Sequence, residues 1–276
     1  MLTSRQFEGS GDASAESHWV QVAGGQLHVR AAGCGPLVIF LHGWTLDWRI
    51  WLPQLELSGV QIVLPDRRGF GRSTAPPCLA LERDDILKIA DHFGARVFAL
   101  VGLSQGAAVA LDIARSHQDR VGAMCLIGAP LHHLVPGPAE APEIDRAAFA
   151  KLVRAGKLSE MLAQWQTHPL TQVAPAGERL LHDILTDYDG RDQLVDQDTL
   201  AFNAQDIAAL TMPILTIAGA QDSDWRKQVA RYIGSHVHHG QTKFIAGAGH
   251  LANVDQAESV NLLLQNFLNA HYLKEV

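Results

Sequence analysis

The segment Gly102-Leu103-Ser104-Gln105-Gly106 follows directly on the apolar run Val97-Phe98-Ala99-Leu100-Val101 and leads at once into Ala107-Ala108-Val109-Ala110-Leu111. A continuous apolar run of this length reads as a buried strand, and the segment after it reads as a helix. Strand, Gly-flanked serine and helix in immediate succession require a sharp, strained turn, the context of a nucleophile elbow. Gly102 and Gly106 relieve crowding where the strand and the helix nearly touch. The turn lifts the Ser104 hydroxyl to the C-terminal edge of a sheet and aims a helix N-terminus at it.

Other strands and helices are spaced around this unit. Trp19–Val22 and Leu27–Arg30 alternate around Gly24-Gly25 and predict a hairpin. Leu37–Leu41, Val60–Leu64, Val121–Ile127, Pro213–Ala218 and Lys243–Ala246 are apolar runs with strand character. Leu79–Phe93 has helical spacing and stops at Gly94, and Glu258–Leu273 is an amphipathic helix. Strands alternating with helices predict a mostly parallel sheet covered on both faces. The segment 131–206 interrupts this pattern. It starts Pro-rich, continues helical, and predicts a cap over the edge where Ser104 emerges. The expected organisation is a flexible leader over 1–18, a core domain over 19–130 and 207–276, and a helical cap over 131–206.

The chain has 276 residues, 47% of them hydrophobic, and a net charge of −7, which argues against nucleic-acid binding. Six Lys/Arg and twelve Asp/Glu within 131–206 give that segment −6 of the total, expected to be a solvated exterior. No segment has the length of a transmembrane helix. Met1–Ser17 lacks the basic start and apolar centre of a signal peptide, so a cytoplasmic protein is expected. Cys34, Cys78 and Cys125 are too few and too scattered for a disulfide framework, and Cys125 reads as a core residue. The clusters His132-His133 and His236-Val237-His238-His239 read as surface composition rather than metal ligands, and no metal or cofactor is expected. The oligomeric state is left open.

A serine hydroxyl needs a base within hydrogen-bond reach and a third group to orient that base. The strand ending at Ala218 runs into Gly219-Ala220-Gln221-Asp222, and the strand ending at Ala246 runs into Gly247-Ala248-Gly249-His250. Asp222 and His250 therefore fall at C-terminal strand ends, on the sheet edge that carries Ser104. Asp224 is the rival acid, its alternative role being a helix N-cap ahead of Trp225. The expected donors for a tetrahedral oxyanion are the backbone N–H groups of Gln105 and Trp44, the latter in the loop His42-Gly43-Trp44. His42 itself reads as a structural loop residue.

At these residues a family resemblance emerges. The chain resembles the α/β-hydrolase superfamily over roughly residues 19–274. The matches are His42-Gly43-Trp44, Asp66-Arg67-Arg68-Gly69-Phe70-Gly71-Arg72-Ser73, the elbow, Gly219–Asp222 and Gly249-His250. The resemblance implies an α/β-hydrolase fold, with a mostly parallel twisted sheet, helices on both faces and a helical cap insertion. It also implies that Asp66–Ser73 is a scaffold loop. Haloalkane dehalogenases and epoxide hydrolases of this fold carry aspartate at the nucleophile position, where this chain has Ser104. Acyl transfer to serine and then to water is therefore expected, on a small-molecule ester or lactone.

Within the serine branch, His42-Gly43-Trp44 is similar to the esterase that demethylates pimeloyl carrier protein. The elbow and Gly249–Gln256 are similar to 3-oxoadipate enol-lactonases. Carbon–carbon hydrolysis and cofactor-free perhydrolysis use the same triad, and a low-turnover ligand receptor is the non-enzymatic alternative. The insertion offers Arg146, Lys151, Arg154 and Lys157 for an anionic substrate, but its acidic balance disfavours one unless a single arginine is well placed. Trp44, Phe149, Leu152, Met161 and Trp165 are the expected pocket residues, with Leu162 beside them.

Overall fold

The computed structural model describes residues 15–132, 134–137, 143–196 and 199–273. Its strands are β1 (Glu16–Val22), β2 (Gly25–Gly33), β3 (Leu37–Leu41), β4 (Gln61–Pro65), β5 (Phe98–Leu103), β6 (Val121–Ile127), β7 (Ile214–Gly219) and β8 (Gly240–Ile245). The helices are α1 (Leu79–His92), α2 (Gln105–Ser116), α3 (Arg146–Arg154), α4 (Leu158–Gln166), α5 (Pro175–Asp187), α6 (Ala204–Ala208), α7 (Asp224–His236), α8 (Ala252–Asp255) and α9 (Ala257–His271).

The strands form one sheet in the order β1-β2-β4-β3-β5-β6-β7-β8. β1 and β2 form the expected hairpin and β2 runs antiparallel to β4; the remaining pairs are parallel. Its core follows from two-residue periodicity. Val38 and Phe40 of β3 face one side with Trp51 and the α9 residues Val260, Leu264 and Phe267. Ile39 and Leu41 face the other with α1, α2 and α7. Apolar residues on both faces explain why β3 reads as an unbroken apolar run. All three cysteines are free thiols, and burial of Cys125 pushes its pKa well up.

The strand order reverses at β3, with β4 on one side and β5 on the other. Such a reversal opens a crevice at the carboxyl ends of the two central strands. The His42-Gly43-Trp44 loop leaves β3 there and Ser104 leaves β5 there. Close packing of α2 makes both elbow glycines obligatory. A Cβ at Gly102 would stand 2.6 Å from the Ala107 Cα, and one at Gly106 would collide with the Leu41 carbonyl oxygen. Gly106→Ala should therefore destabilise the fold by more than about 3 kcal/mol in urea unfolding. A loss below about 1 kcal/mol would show that α2 can move off β3 freely.

The structure also departs from the sequence reading. β1 begins at Glu16, inside the segment expected as leader, whose residues 1–14 lie outside those described. β8 begins at Gly240 because it is a sheet edge: its first residues are polar and half exposed, so no apolar run marks them. Helix α7 enters the sequence reading only through the alternative N-cap role of Asp224, because only Trp225, Val229, Ala230 and Ile233 form its apolar stripe among charged residues.

Among the described residues, 131–206 holds helices and short 3-10 turns and no strand. Phe149, Val153, Met161, Leu181 and Tyr188 of this insertion join the apolar cluster that contains Trp44, Trp48 and Trp51. No helix among the described residues is long and apolar enough to cross a membrane.

Candidate active site

Ser104 has φ 54° and ψ −119°, a left-handed conformation that a non-glycine residue adopts only where its surroundings impose it. Its N–H donates to the Ile127 carbonyl at 2.8 Å, fixing the turn to β6. Its carbonyl accepts the N–H groups of Ala107 and Ala108 and so starts α2. Gln105 is the first helical residue, so its N–H has no intrahelical partner. Neither this N–H nor that of Trp44 is hydrogen-bonded among the described residues.

His250 and Asp222 come together as the strand ends predict. His250 Nδ1 lies 2.9 Å from Asp222 Oδ2, and Asp222 Oδ1 accepts the Ser223 N–H at 2.7 Å. Burial opposes ionisation of Asp222, but the charge and hydrogen bond of His250, with the charge of Arg226, hold its carboxyl below the usual carboxylate range. A donor at Nδ1 leaves Nε2 as the acceptor. That Nε2 is buried and makes no hydrogen bond among the described residues, Ser104 included, and His250 and Ser104 line the same small cavity. The His250 loop is pinned by Asp255, which accepts the N–H groups of Gly249 at 2.8 Å and Ala174 at 2.7 Å.

Other residues are placed away from the chemistry. Asp224 is exposed, pairs with Lys227 at 2.9 Å, and is the first residue of α7; the N-cap is Ser223, not Asp224. His42 is structural as expected. Its Nε2 accepts the Arg67 N–H and its Nδ1 donates to the Gly43 carbonyl. Burial, aided by the charge of Arg67, pushes its pKa down to about 3, so it stays neutral. Arg67 and Arg68 make two-bond ion pairs with Glu82 and Asp85. A second Ser–His–Asp chain, Ser17 to His28 at 2.9 Å and His28 to Asp66 at 2.8 Å, has a supporting role. Asp66 there also accepts the N–H groups of Trp48 and Arg72, and Ser17 lines neither cavity beside Ser104.

The profile of the α/β hydrolase fold matches residues 36–257. The chain belongs to the α/β hydrolase family. The AB hydrolase superfamily protein YfhM of Bacillus subtilis is 24% identical over 91% of this chain and 96% of its own length. Epoxide hydrolase 1 of Siraitia grosvenorii is 33% identical, over 46% of this chain and 42% of that protein. The crystal structure of carboxylesterase CesB from Bacillus subtilis superposes with a TM-score of 0.76 at 21% identity, covering 92% of each chain.

The hydrolase has two cavities beside Ser104. One of about 170 Å³ is lined by Trp44, Gln105, Ile144, Arg146 and Trp225 among others. The other, of about 20 Å³, includes Gly43, Trp44, Trp165, Leu170 and His250. Of the expected pocket residues, Trp44 and Trp165 line them. Phe149, Leu152 and Met161 line neither. Phe149 and Met161 are buried in the apolar cluster, and Leu152 packs against it with Leu162. On a short amphipathic helix the apolar stripe goes first to holding the helix down.

The insertion also holds the Trp44 loop. The Trp44 indole donates to Asp192 Oδ2 at 2.7 Å, and the Trp165 indole donates to Thr45 Oγ1 at 2.8 Å. Thr45 has φ 63°, and its hydroxyl donates to the Trp44 carbonyl. Asp192 is buried and also accepts from Tyr188 and Gln193. Sequence reasoning misses Asp192 because its partner lies 148 positions away. It misses Arg226 as well, which is buried and bonded to Glu143 and the Gly128 carbonyl. Neither residue sits in a local pattern that marks it.

Proposed function

We propose that this hydrolase cleaves a small carboxylic ester or lactone through an acyl-enzyme. Ser104 is the nucleophile, His250 the base and then the acid, and Asp222 the group that orients His250. The observation that carries this reading is the unpartnered, buried His250 Nε2, backed by Asp222, in the cavity that receives the strained Ser104.

The Ser104 Oγ attacks the carbonyl carbon as its proton passes to His250 Nε2. Negative charge collects on the carbonyl oxygen, facing the N–H groups of Trp44 and Gln105. Collapse breaks the acyl–oxygen bond, and the leaving alkoxide takes the proton from Nε2. With a lactone the alkoxide stays tethered to the acyl chain. Water then repeats the sequence on the acyl-enzyme, releasing the acid and restoring Ser104.

The local likeness to an epoxide hydrolase does not extend to the reacting atom. That chemistry in this fold uses a carboxylate to form an alkyl ester, and the corresponding position here is a serine. The cavities are smaller than the ~300–1,000 Å³ typical of sites for drug-sized ligands, which favours short acyl groups.

The test is hydrolysis of 4-nitrophenyl esters of acyl length about two to twelve and of a lactone set, with a fluorophosphonate label mapped by mass spectrometry. Label on Ser104 and turnover peaking at short esters support the reading. A folded, labelled protein that hydrolyses no ester or lactone refutes it.

Trp165→Phe keeps the ring packed on Trp44 but removes the donor to Thr45. The kcat should fall about tenfold, near 1.4 kcal/mol, with KM within about twofold. An unchanged kcat would show that the Trp44 loop holds its shape unaided.

A further inference from the structure

Arg146 is the first residue of α3, and its guanidinium lies 4.6 Å from the Trp44 ring centroid. It lines the larger cavity together with Ser104 and Gln105. Its side chain keeps 38% of its surface accessible. The nearest carboxylate oxygen, Asp192 Oδ2, is 3.9 Å away, beyond hydrogen-bond reach. That oxygen already accepts the Trp44 indole and the Gln193 amide, and Oδ1 accepts Tyr188. The five N–H donors of Arg146 therefore make no hydrogen bond among the described residues.

The other arginines of the site and the insertion are committed elsewhere, and Lys151 is exposed. Arg226, in the same cavity, gives Nε and Nη2 to Glu143 and Nη1 to the Gly128 carbonyl. Arg154 pairs with Asp196, and Lys157 with Glu160 at 3.0 Å, both at the surface. Thus the acidic balance of the insertion does not describe its inner wall. Of the two arginines that line the cavity with Ser104, Arg146 is the one whose guanidinium makes no hydrogen bond among the described residues.

We propose that Arg146 binds a carboxylate on the acyl portion of the substrate, so that the preferred substrate is a small ester or lactone that also carries a free carboxylate. The proposal rests on Ser104 as the nucleophile of the preceding section. A planar guanidinium matches a carboxylate with two parallel hydrogen bonds, and the Trp44 ring, 4.6 Å from its Cζ, attracts and holds the cation before the ligand arrives. Asp192 offsets part of the Arg146 charge from 3.9 Å but makes no hydrogen bond to it, which leaves the N–H donors to a ligand carboxylate. Trp44 also supplies the backbone N–H proposed for the oxyanion. The acid group and the reacting carbonyl are therefore read from the two ends of one residue.

The experiment compares the 4-nitrophenyl half-ester of glutaric acid with 4-nitrophenyl pentanoate, which have equal chain length and differ in a terminal carboxylate for a methyl. In the unaltered enzyme the ratio of kcat/KM, charged over neutral, should exceed about ten. Arg146→Met should bring the ratio to about one or below, chiefly through KM, and Arg146→Lys should fall between. A ratio near one in the unaltered enzyme, or one that Arg146→Met leaves unchanged, overturns the proposal. Calorimetry of free glutarate with Ser104→Ala, and with Ser104→Ala/Arg146→Met, separates this from the reaction assignment. If neither ester is hydrolysed but glutarate binds only where Arg146 is present, the carboxylate site stands and the esterase reading falls. If esters are hydrolysed without charge preference, the esterase reading stands and the carboxylate site falls.

Discussion

Ser104→Ala should lower kcat for any ester the protein hydrolyses by about a millionfold, leaving only what binding and the oxyanion donors supply. The substitution is clean because alanine keeps the Cβ. At φ 54° it carries the same backbone strain as serine, and the Ser104 N–H bond to Ile127 is a main-chain bond that survives. Thermal unfolding should therefore move by no more than a few degrees. The same variant should lose all reaction with a fluorophosphonate. Residual kcat above about one part in a hundred, once contamination is excluded by active-site titration, would place the nucleophile elsewhere.

Asp222→Asn should cost about ten-thousandfold in kcat with little change in KM, whereas Asp224→Asn should stay within about twofold. The asymmetry follows from hydrogen bonding. Asp222 accepts at both oxygens, from His250 Nδ1 and from the Ser223 N–H. An amide has one acceptor oxygen for these two donors. If it faces Ser223, its NH2 faces Nδ1 and holds the proton on Nε2, which removes the base. The aspartate also stabilises the imidazolium that forms during attack, and a neutral amide does not. Asp224 is exposed at the start of α7 and contacts Lys227 instead. A large loss in Asp224→Asn with a small one in Asp222→Asn would reverse the assignment. Steady-state kinetics on one short ester decides between the two.

The outline of the candidate site was legible in the sequence because its parts lie at the ends of strands that carry apolar runs. β5 and β7 are buried throughout and the edge strand β8 at its last residue, and in a parallel sheet their carboxyl ends share one edge. Ser104, Asp222 and His250 fall on that edge without reference to any side chain in between. The walls of the site were not legible in this way. Phe149, Leu152 and Met161 lie on helical stripes, and a stripe says that a face is covered without saying by what. The partners that shape the Trp44 loop, Asp192 and Trp165, lie more than a hundred positions along the chain and owe their place to tertiary packing. Net charge is uninformative in a related way: counting Asp and Glu across 131–206 averages a solvent face with the cavity wall, where Arg146 stands.

The two indole hydrogen bonds between the Trp44 loop and the insertion have a consequence for engineering. The loop proposed to face the reacting carbonyl is fastened at Thr45 by Trp165 and at Trp44 by Asp192, so part of the proposed reaction apparatus is anchored in the insertion that walls the cavities beside Ser104. The insertion is therefore not an exchangeable module. A graft chosen only for its chamber would arrive without these two anchors and would trade turnover for selectivity. One that carried over the indole and the carboxylate could change the chamber and keep the rate.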